Sequence, residues 1–209
     1  MKRSPILDYL IGLDLGRDRD HSAFAVFGLV EEDFGNFDHA HYCQHRRPVL
    51  TLGALKRIPL GTEYVEVVRK LRQLVNALRA QYGYGMRPPR IHIVLDAAGP
   101  GQVVTELIRA EKMGVNIVPV VITAGHEVGS NSRRTTVPRR DLVAHLRYLL
   151  ETEIIRVHRD VHHANALERE VASVRPRSGQ TEHDDLVIAA SLAAWYAARV
   201  RPDLIKRKV

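Results

Sequence analysis

Three aspartates stand where catalysis would need them. Asp14 closes the apolar run Tyr9-Leu10-Ile11-Gly12-Leu13, Asp96 closes Ile91 to Leu95 just before a glycine turn, and Asp185 opens the alanine-rich stretch that runs to Ala198. A carboxylate at the end of a buried strand is costly unless a cation compensates it. If the two apolar runs are neighbouring strands, Asp14 and Asp96 project from one sheet edge. Asp185 shares a helical stripe with Ile188, Ala189, Leu192 and Trp195, the face that must pack on that sheet. Acids gathered in this way, without matching cations, repel one another and bind protons more tightly. A divalent ion relieves the repulsion. Mg²⁺ or Mn²⁺ prefers oxygen ligands, and two such ions ~3.5–4 Å apart can clamp a phosphodiester, one activating water and the other steadying the leaving oxygen.

Each acid also has an ordinary structural reading. Asp14 and Asp96 are both suited to turns at strand ends. Asp184 fits a capping box in Thr181-Glu182-His183-Asp184, where its carboxylate would accept a backbone N–H, so Asp185 is the firmer ligand and Asp184 the second. Asp20, in the turn Gly16 to His21, either braces that turn or approaches the ions through water. His183 is read first as a helix-start residue and second as an accessory group. Glu63 and Glu66 need no role beyond favouring a helix N-terminus.

Other chemistries lack their signatures. Neither GxGxxG nor GxxxxGK[ST] occurs, which removes dinucleotide binding and a Walker ATPase. GxSxG and HExxH are equally absent. Cys43 is the sole cysteine, so there is no disulfide framework and no cage of thiolates around zinc, and a reducing cytoplasm is the expected compartment. The longest apolar runs are too short to span a bilayer, and no signal-peptide core opens the chain.

The chain has 209 residues, enough for one self-sufficient domain spanning 1–209, and carries a formal charge of +7. Arg133, Arg134, Arg139 and Arg140 crowd a stretch otherwise rich in Gly, Ser, Asn, Thr and Pro. Lys206-Arg207-Lys208 forms a second cluster in a basic tail over 200–209. Such clusters suit a polyanion or simply a solvated surface.

Tyr9 to Leu15 and Ser22 to Val30 read as strands, and a third strand is expected between Phe37 and Leu52. Tyr64, Val67, Val68, Leu71, Leu74, Val75 and Leu78 follow helical spacing, with Thr62 as the expected N-cap. Ile91 to Leu95 reads as a buried strand. A helix follows it, with Val103, Val104, Leu107 and Ile108 on its buried stripe. Asn116 to Ile122 is another strand, 123–137 a basic hairpin or loop insertion, and Pro138 opens a helix. A short strand near Ile154 to Val157 and helices near Asn165 to Val174 and Asp184 to Arg199 complete the order. Three antiparallel strands followed by alternating helices and strands predict an α/β protein, a ribonuclease H-like mixed sheet flanked by helices.

The segments "IGLDLGRDRDHSAFAV", "IVLDAAGPGQVV", "VPVVIT", "VPRRDLVAHL", "ALEREVASV" and "GQTEHDDLVIAASLA" occur in an order and spacing that resembles the nuclease domain of tailed-bacteriophage large terminases. The resemblance covers nearly the whole chain. It implies a metal-dependent endonuclease that cuts viral double-stranded DNA for genome packaging with two Mg²⁺ or Mn²⁺ ions. By position, Asp14 and Asp96 match strand ligands of that family, Asp185 or Asp184 the helical ligand, and Asp20 the accessory acid. Arg133, Arg134, Arg139 and Arg140 fall where the family contacts DNA. The implied partners are DNA, a packaging ATPase module and other terminase and portal components, in the cytoplasm of a bacterial host. The family's N-terminal ATPase is not in this sequence, so an excised domain, a separately encoded nuclease or a prophage remnant is expected. The rival readings are a Holliday-junction resolvase-like endonuclease, an actin-like ATPase fragment suggested by "GLDLG", and a non-catalytic DNA-binding packaging module.

Overall fold

The computed structural model describes residues 5–16, 20–39, 41–82, 88–125, 129–131, 134–174 and 184–205. Its centre is one eight-stranded mixed sheet. The strands are β1 (Ile6–Asp14), β2 (Ala23–Asp33), β3 (Arg46–Arg57), β4 (Arg90–Asp96), β5 (Asn116–Thr123), β6 (Gly129–Asn131), β7 (Arg134–Pro138) and β8 (Ile155–Val157). They lie in the order β6-β7-β5-β4-β1-β2-β3-β8. The meander β1–β2–β3 is antiparallel, whereas β4 joins β1 in parallel and β5 joins β4 in parallel. This is the ribonuclease H-like arrangement expected from the element order. Among the described residues, five α-helices cover the sheet: α1 (Tyr64–Arg79), α2 (Pro100–Ala110), α3 (Arg139–Glu151), α4 (Ala164–Ser173) and α5 (Asp185–Val200).

Period-two alternation sorts the strand residues between two cores. Ile11, Leu13, Phe24, Val26, Ile93 and Leu95 pack with Val67, Leu71 and Val75 of α1 and Val104 and Ile108 of α2. Leu10, Ala25, Phe27, Val94 and Val120 face the other way, against Leu142 and Leu146 of α3 and the buried length of α5. Because α5 is clad in alanine, it can lie very close to β1. The approach is closest at Gly12, where an added Cβ would meet the Ala189 carbonyl oxygen at 1.8 Å. A glycine inside a strand here marks close backbone contact. Gly12 and Asp14 share a face, so the helix that requires Gly12 also runs past Asp14.

Several local expectations are corrected. The third strand starts at Arg46, because Phe37 to Cys43 forms a separate turn closed by the Asp38–Cys43 bridge. Glu63, not Thr62, is the N-cap of α1, and the Thr62 hydroxyl instead donates to the Pro59 carbonyl at 2.6 Å. Val103 points to solvent at 58% exposure, and α2 buries Gly101, Val104, Thr105 and Ile108. Gly101 on the buried face lies against the Asp96 carbonyl oxygen, which an added Cβ would meet at 1.7 Å, and this contact sets which residues of α2 turn inward. Within 123–137, β6 and β7 form an antiparallel hairpin, and β7 also pairs in parallel with β5. Among the described residues, no helix is long and apolar enough to cross a membrane.

Candidate metal centre

Parallel pairing of β1 with β4 sets Leu13 opposite Leu95, so Asp14 and Asp96, the next residue on each strand, leave the sheet at one edge. Both are half-buried. α5 begins over this edge with Asp184 and Asp185, which are 8% and 4% exposed. The chain therefore brings acids from positions far apart in sequence to a single end of the central strands.

Their electrostatics differ. The carboxyl of Asp14 is pushed up to about 8, first by burial and then by the charges of Asp185 and Asp96; the Leu15 N–H opposes this, and Asp20 adds a little more in the raising direction. No ion pair joins Asp14 to any described residue. Asp96 is raised by burial, against the pull of two backbone donors. Those donors are the N–H groups of Ala98 at 3.0 Å and Ile122 at 3.2 Å, both on Oδ1. The turn role anticipated for Asp96 is thus real and uses one oxygen of its carboxylate.

Asp185 accepts a hydrogen bond on Oδ2 from Arg57 Nε at 2.8 Å. Arg57, the last residue of β3, also pairs with Glu170 of α4. Glu170 in turn accepts from the Val187 N–H at 3.1 Å. Burial lifts the Glu170 carboxyl to about 7; the Val187 N–H opposes this, Asp185 adds to it, and Arg57 and the Leu186 N–H oppose it. Neither Arg57 nor Glu170 was singled out in the sequence. "ALEREVASV" contained Glu170, and the visible signal was an arginine ending an otherwise alternating strand.

Asp184 does not cap α5 with its side chain, as the capping box predicted; it is ion-paired to Arg139, the first residue of α3. Arg139 is therefore drawn in among the acids, where burial lowers its proton affinity and Asp14 partly restores it. Arg140 stays outside, 3.0 Å from Asp141. Asp20 is exposed beyond the turn that Ser22 closes, its Oγ donating to the Gly16 carbonyl at 3.0 Å. His183, Arg133 and the side chain of Arg134 lie outside the described residues.

The expectation that few cations meet these acids is thus corrected for α5, which has Arg57 and Arg139; among the described residues Asp14 and Asp96 form no ion pair, though Asp14 feels the charge of Arg139. Nor do the edge acids converge tightly. No three of them bring ligand atoms within 4.8 Å of one another; the group that does so is Asp38, Cys43 and His45. A single Mg²⁺ at about 2.1 Å from each oxygen could not span the edge acids without side-chain rotation. The donors are all hard oxygens, the type that Mg²⁺ and Mn²⁺ prefer.

No protein-family model matches the chain, and no curated protein matches it either. Solved structures do. The human cytomegalovirus terminase nuclease domain aligns over 95% of this chain and 86% of its own, with TM-score 0.58 and 12% identity. The large terminase nuclease of thermophilic phage G20c with bound zinc covers 89% of this chain and 79% of its own, at TM-score 0.50 and 23% identity. The large terminase nuclease domain of bacteriophage SPP1 with bound Mn covers 91% and 86%, at TM-score 0.50 and 14% identity. The chain has the fold of the terminase nuclease domains.

Proposed function

We propose that this protein is a divalent-metal-dependent endodeoxyribonuclease of the large-terminase type, cutting double-stranded viral DNA for packaging. The observation that carries this reading is Asp14. Its carboxyl is raised to about 8 by burial and by Asp185 and Asp96, and no described arginine or lysine is ion-paired to it. A structural aspartate would be given a cation by its neighbours, whereas a ligand is kept for a cation that comes from solution. The shared fold with metal-bound terminase nucleases points the same way.

The oxygen donors suit Mg²⁺ or Mn²⁺ chemically, and a pair of ions would be held by Asp14, Asp96 and Asp185 after side-chain rotation, with Asp184, Asp20 and, by its sequence position, His183 as accessory groups. Such ions, when bound, would lower the pKa of an attacking water and stabilise the leaving oxygen of the phosphodiester. The protein's part is positional. Asp96 offers Oδ2 because Oδ1 is tied to backbone N–H groups. Arg57, itself paired with Glu170, engages Oδ2 of Asp185, and Arg139 engages Oδ2 of Asp184, which restrains both carboxylates. Arg133, Arg134 and Arg140, assigned by their place in the sequence, would meet DNA phosphates, contacts that are salt-sensitive and indifferent to base sequence. Arg139 would act from among the acids. A packaging ATPase module and portal components are the partners this role requires, in the host cytoplasm.

The test is nicking and linearisation of supercoiled plasmid with Mn²⁺ or Mg²⁺. Asp14→Asn, Asp96→Asn and Asp185→Asn should each fall to background, with Asp184→Asn milder. Undiminished cleavage in a chelator, or by Asp96→Asn, overturns the proposal. Preference for four-way junctions over linear duplex would replace the terminase role with a resolvase-like one.

A further inference from the structure

A second group of ligand-type side chains lies in the turn between β2 and β3, in the segment Phe37-Asp38-His39-Ala40-His41-Tyr42-Cys43-Gln44-His45. Ligand atoms of Asp38, Cys43 and His45 all lie within 4.8 Å of one another. The backbone explains the convergence. Asp38 and Cys43 form an antiparallel bridge with both reciprocal hydrogen bonds, Asp38 N–H to Cys43 O at 2.8 Å and Cys43 N–H to Asp38 O at 3.1 Å. Directly opposed residues of such a bridge send their side chains to one face, and His45, two residues beyond Cys43, returns to that face by strand alternation.

The turn is braced independently of any ligand. Tyr42 takes a left-handed conformation at φ 50°, and its ring meets the Phe37 ring edge-on, with centroids 5.4 Å apart. Gln44 donates its side-chain amide to the carbonyls of Phe34 and Gly35 at 3.2 and 3.0 Å, while the Phe34 N–H reaches the His45 carbonyl at 2.8 Å. The Asp38 carboxylate is already oriented: Oδ2 lies 2.8 Å from His41 Nδ1 and 3.3 Å from His45 Nε2. Cys43 is a free, exposed thiol.

We infer that this turn is a binding site for a borderline-soft divalent ion of the Zn²⁺ class. One thiolate, one carboxylate oxygen and one imidazole supply three ligands, and a water would take the fourth position, as in open zinc sites. Thiolate and imidazole select Zn²⁺ over Mg²⁺ or Mn²⁺, and three or four such donors close a tetrahedron. The site is therefore chemically distinct from the all-oxygen edge of the sheet and does not depend on the nuclease proposal. Binding releases the Cys43 thiol proton to solvent as the metal–sulfur bond forms. It ties the two ends of the β2–β3 turn together. The sequence holds neither HExxH nor the spacing of a Cys/His cage; the signal for this site is Cys43 and His45 two residues apart, brought to Asp38 by the turn.

The probe is Co²⁺, a spectroscopic stand-in for Zn²⁺, added to the whole reduced protein. The expected result is a sulfur-to-cobalt charge-transfer absorption with intense tetrahedral d–d bands at one equivalent, bleached by Zn²⁺ and unaffected by Mg²⁺. Cys43→Ser should abolish the charge-transfer band, His45→Ala should weaken binding severely, and Asp14→Asn should leave the band unchanged. Zn²⁺ should also protect Cys43 from alkylation until a chelator is added. These substitutions fall in an exposed turn, and circular dichroism checks that the fold persists. No thiolate band in the parent protein, or an equal spectrum in Cys43→Ser, overturns the inference.

Discussion

β1 carries a carboxylate near each end, on the same face, and the two have opposite fates. Asp8 is 4% exposed and receives Arg90 from the neighbouring strand, Nε to Oδ1 at 2.8 Å and Nη2 to Oδ2 at 3.0 Å, a bidentate pair. His92, the next residue of β4 on that face, turns Nε2 toward Asp8 at 3.7 Å, while its Nδ1 is met by the Asn116 amide at 3.0 Å. Six residues later, Asp14 has no ion pair among the described residues: Asp185 and Asp96 raise its carboxyl, and Arg139 is felt only through its charge. The register is the same in both places: Asp8 lies opposite Arg90 and Leu13 opposite Leu95. What differs is the residue type that β4 places there, and what α5 brings over the face. The C-terminal half of α5 sets Tyr196 beside His92, whereas its N-terminus sets Asp185 beside Asp14. A buried acid completed by its neighbours is neutralised in place, while one whose charged neighbours are mainly acids is the kind of group proposed above to hold a cation.

The contrast can be broken most sharply at Asp14. Asp14→Asn should reduce metal-dependent cleavage to background while Asp8→Asn leaves it intact, as a plasmid assay would show. Arg57→Met comes next, since it strips the cation from both Glu170 and Asp185. We expect about 3 kcal/mol of lost stability in denaturant unfolding, together with impaired cleavage from a mispositioned Asp185. If Arg57→Met were neutral in both readouts, Arg57 would not be positioning that carboxylate.

The third prediction concerns pH. The Asp14 carboxyl is raised from 3.8 to about 8, so the folded chain holds a proton that the unfolded chain releases. Its contribution to stability is full below the unfolded value and is lost as pH climbs towards about 8. In chelator, Asp14→Asn should gain on the parent protein as pH rises, reaching roughly 2 kcal/mol at the alkaline end after allowance for solvent at the open edge. Divalent metal should erase that gain, and metal affinity should weaken as pH falls below about 8. A stability difference flat in pH would mean that Asp14 is not repelled by its neighbours. Asp8→Asn should cost less, about 1 kcal/mol, because Arg90 is mostly solvent-exposed and can rehydrate. The smallest effect is expected of Arg134→Ala: DNA affinity should drop modestly and its salt slope should flatten by about one unit in a titration.

Much of the acidic edge was legible in the chain. Asp14 and Asp96 are conspicuous because an apolar run that ends on an acid defies the usual burial pattern, and β-strand period two then dictates their common face. Asp185 follows from helical period 3.6, which places it on the stripe that must pack inward. The fold class followed from element order, since a meander followed by alternating helices and strands has few ways to cover both faces of a sheet. Boundaries were less legible where tertiary contact overrode local preference, as at Val103, turned outward when Gly101 was drawn beneath Asp96.

The amino-acid sequence by itself determined which residues would be strands, which helices, and which acids would be stranded at their ends, because these depend on periodicities of a few residues. Only the tertiary structure decided which of those acids acquire a cation. Arg57 stands 128 residues from Asp185 and 113 from Glu170, and Arg139 stands 45 from Asp184. Pairings over such separations leave no local pattern. They arise from how α3, α4 and α5 dock on the sheet, and that docking leaves Asp14 beside other acids and without an ion pair among the described residues.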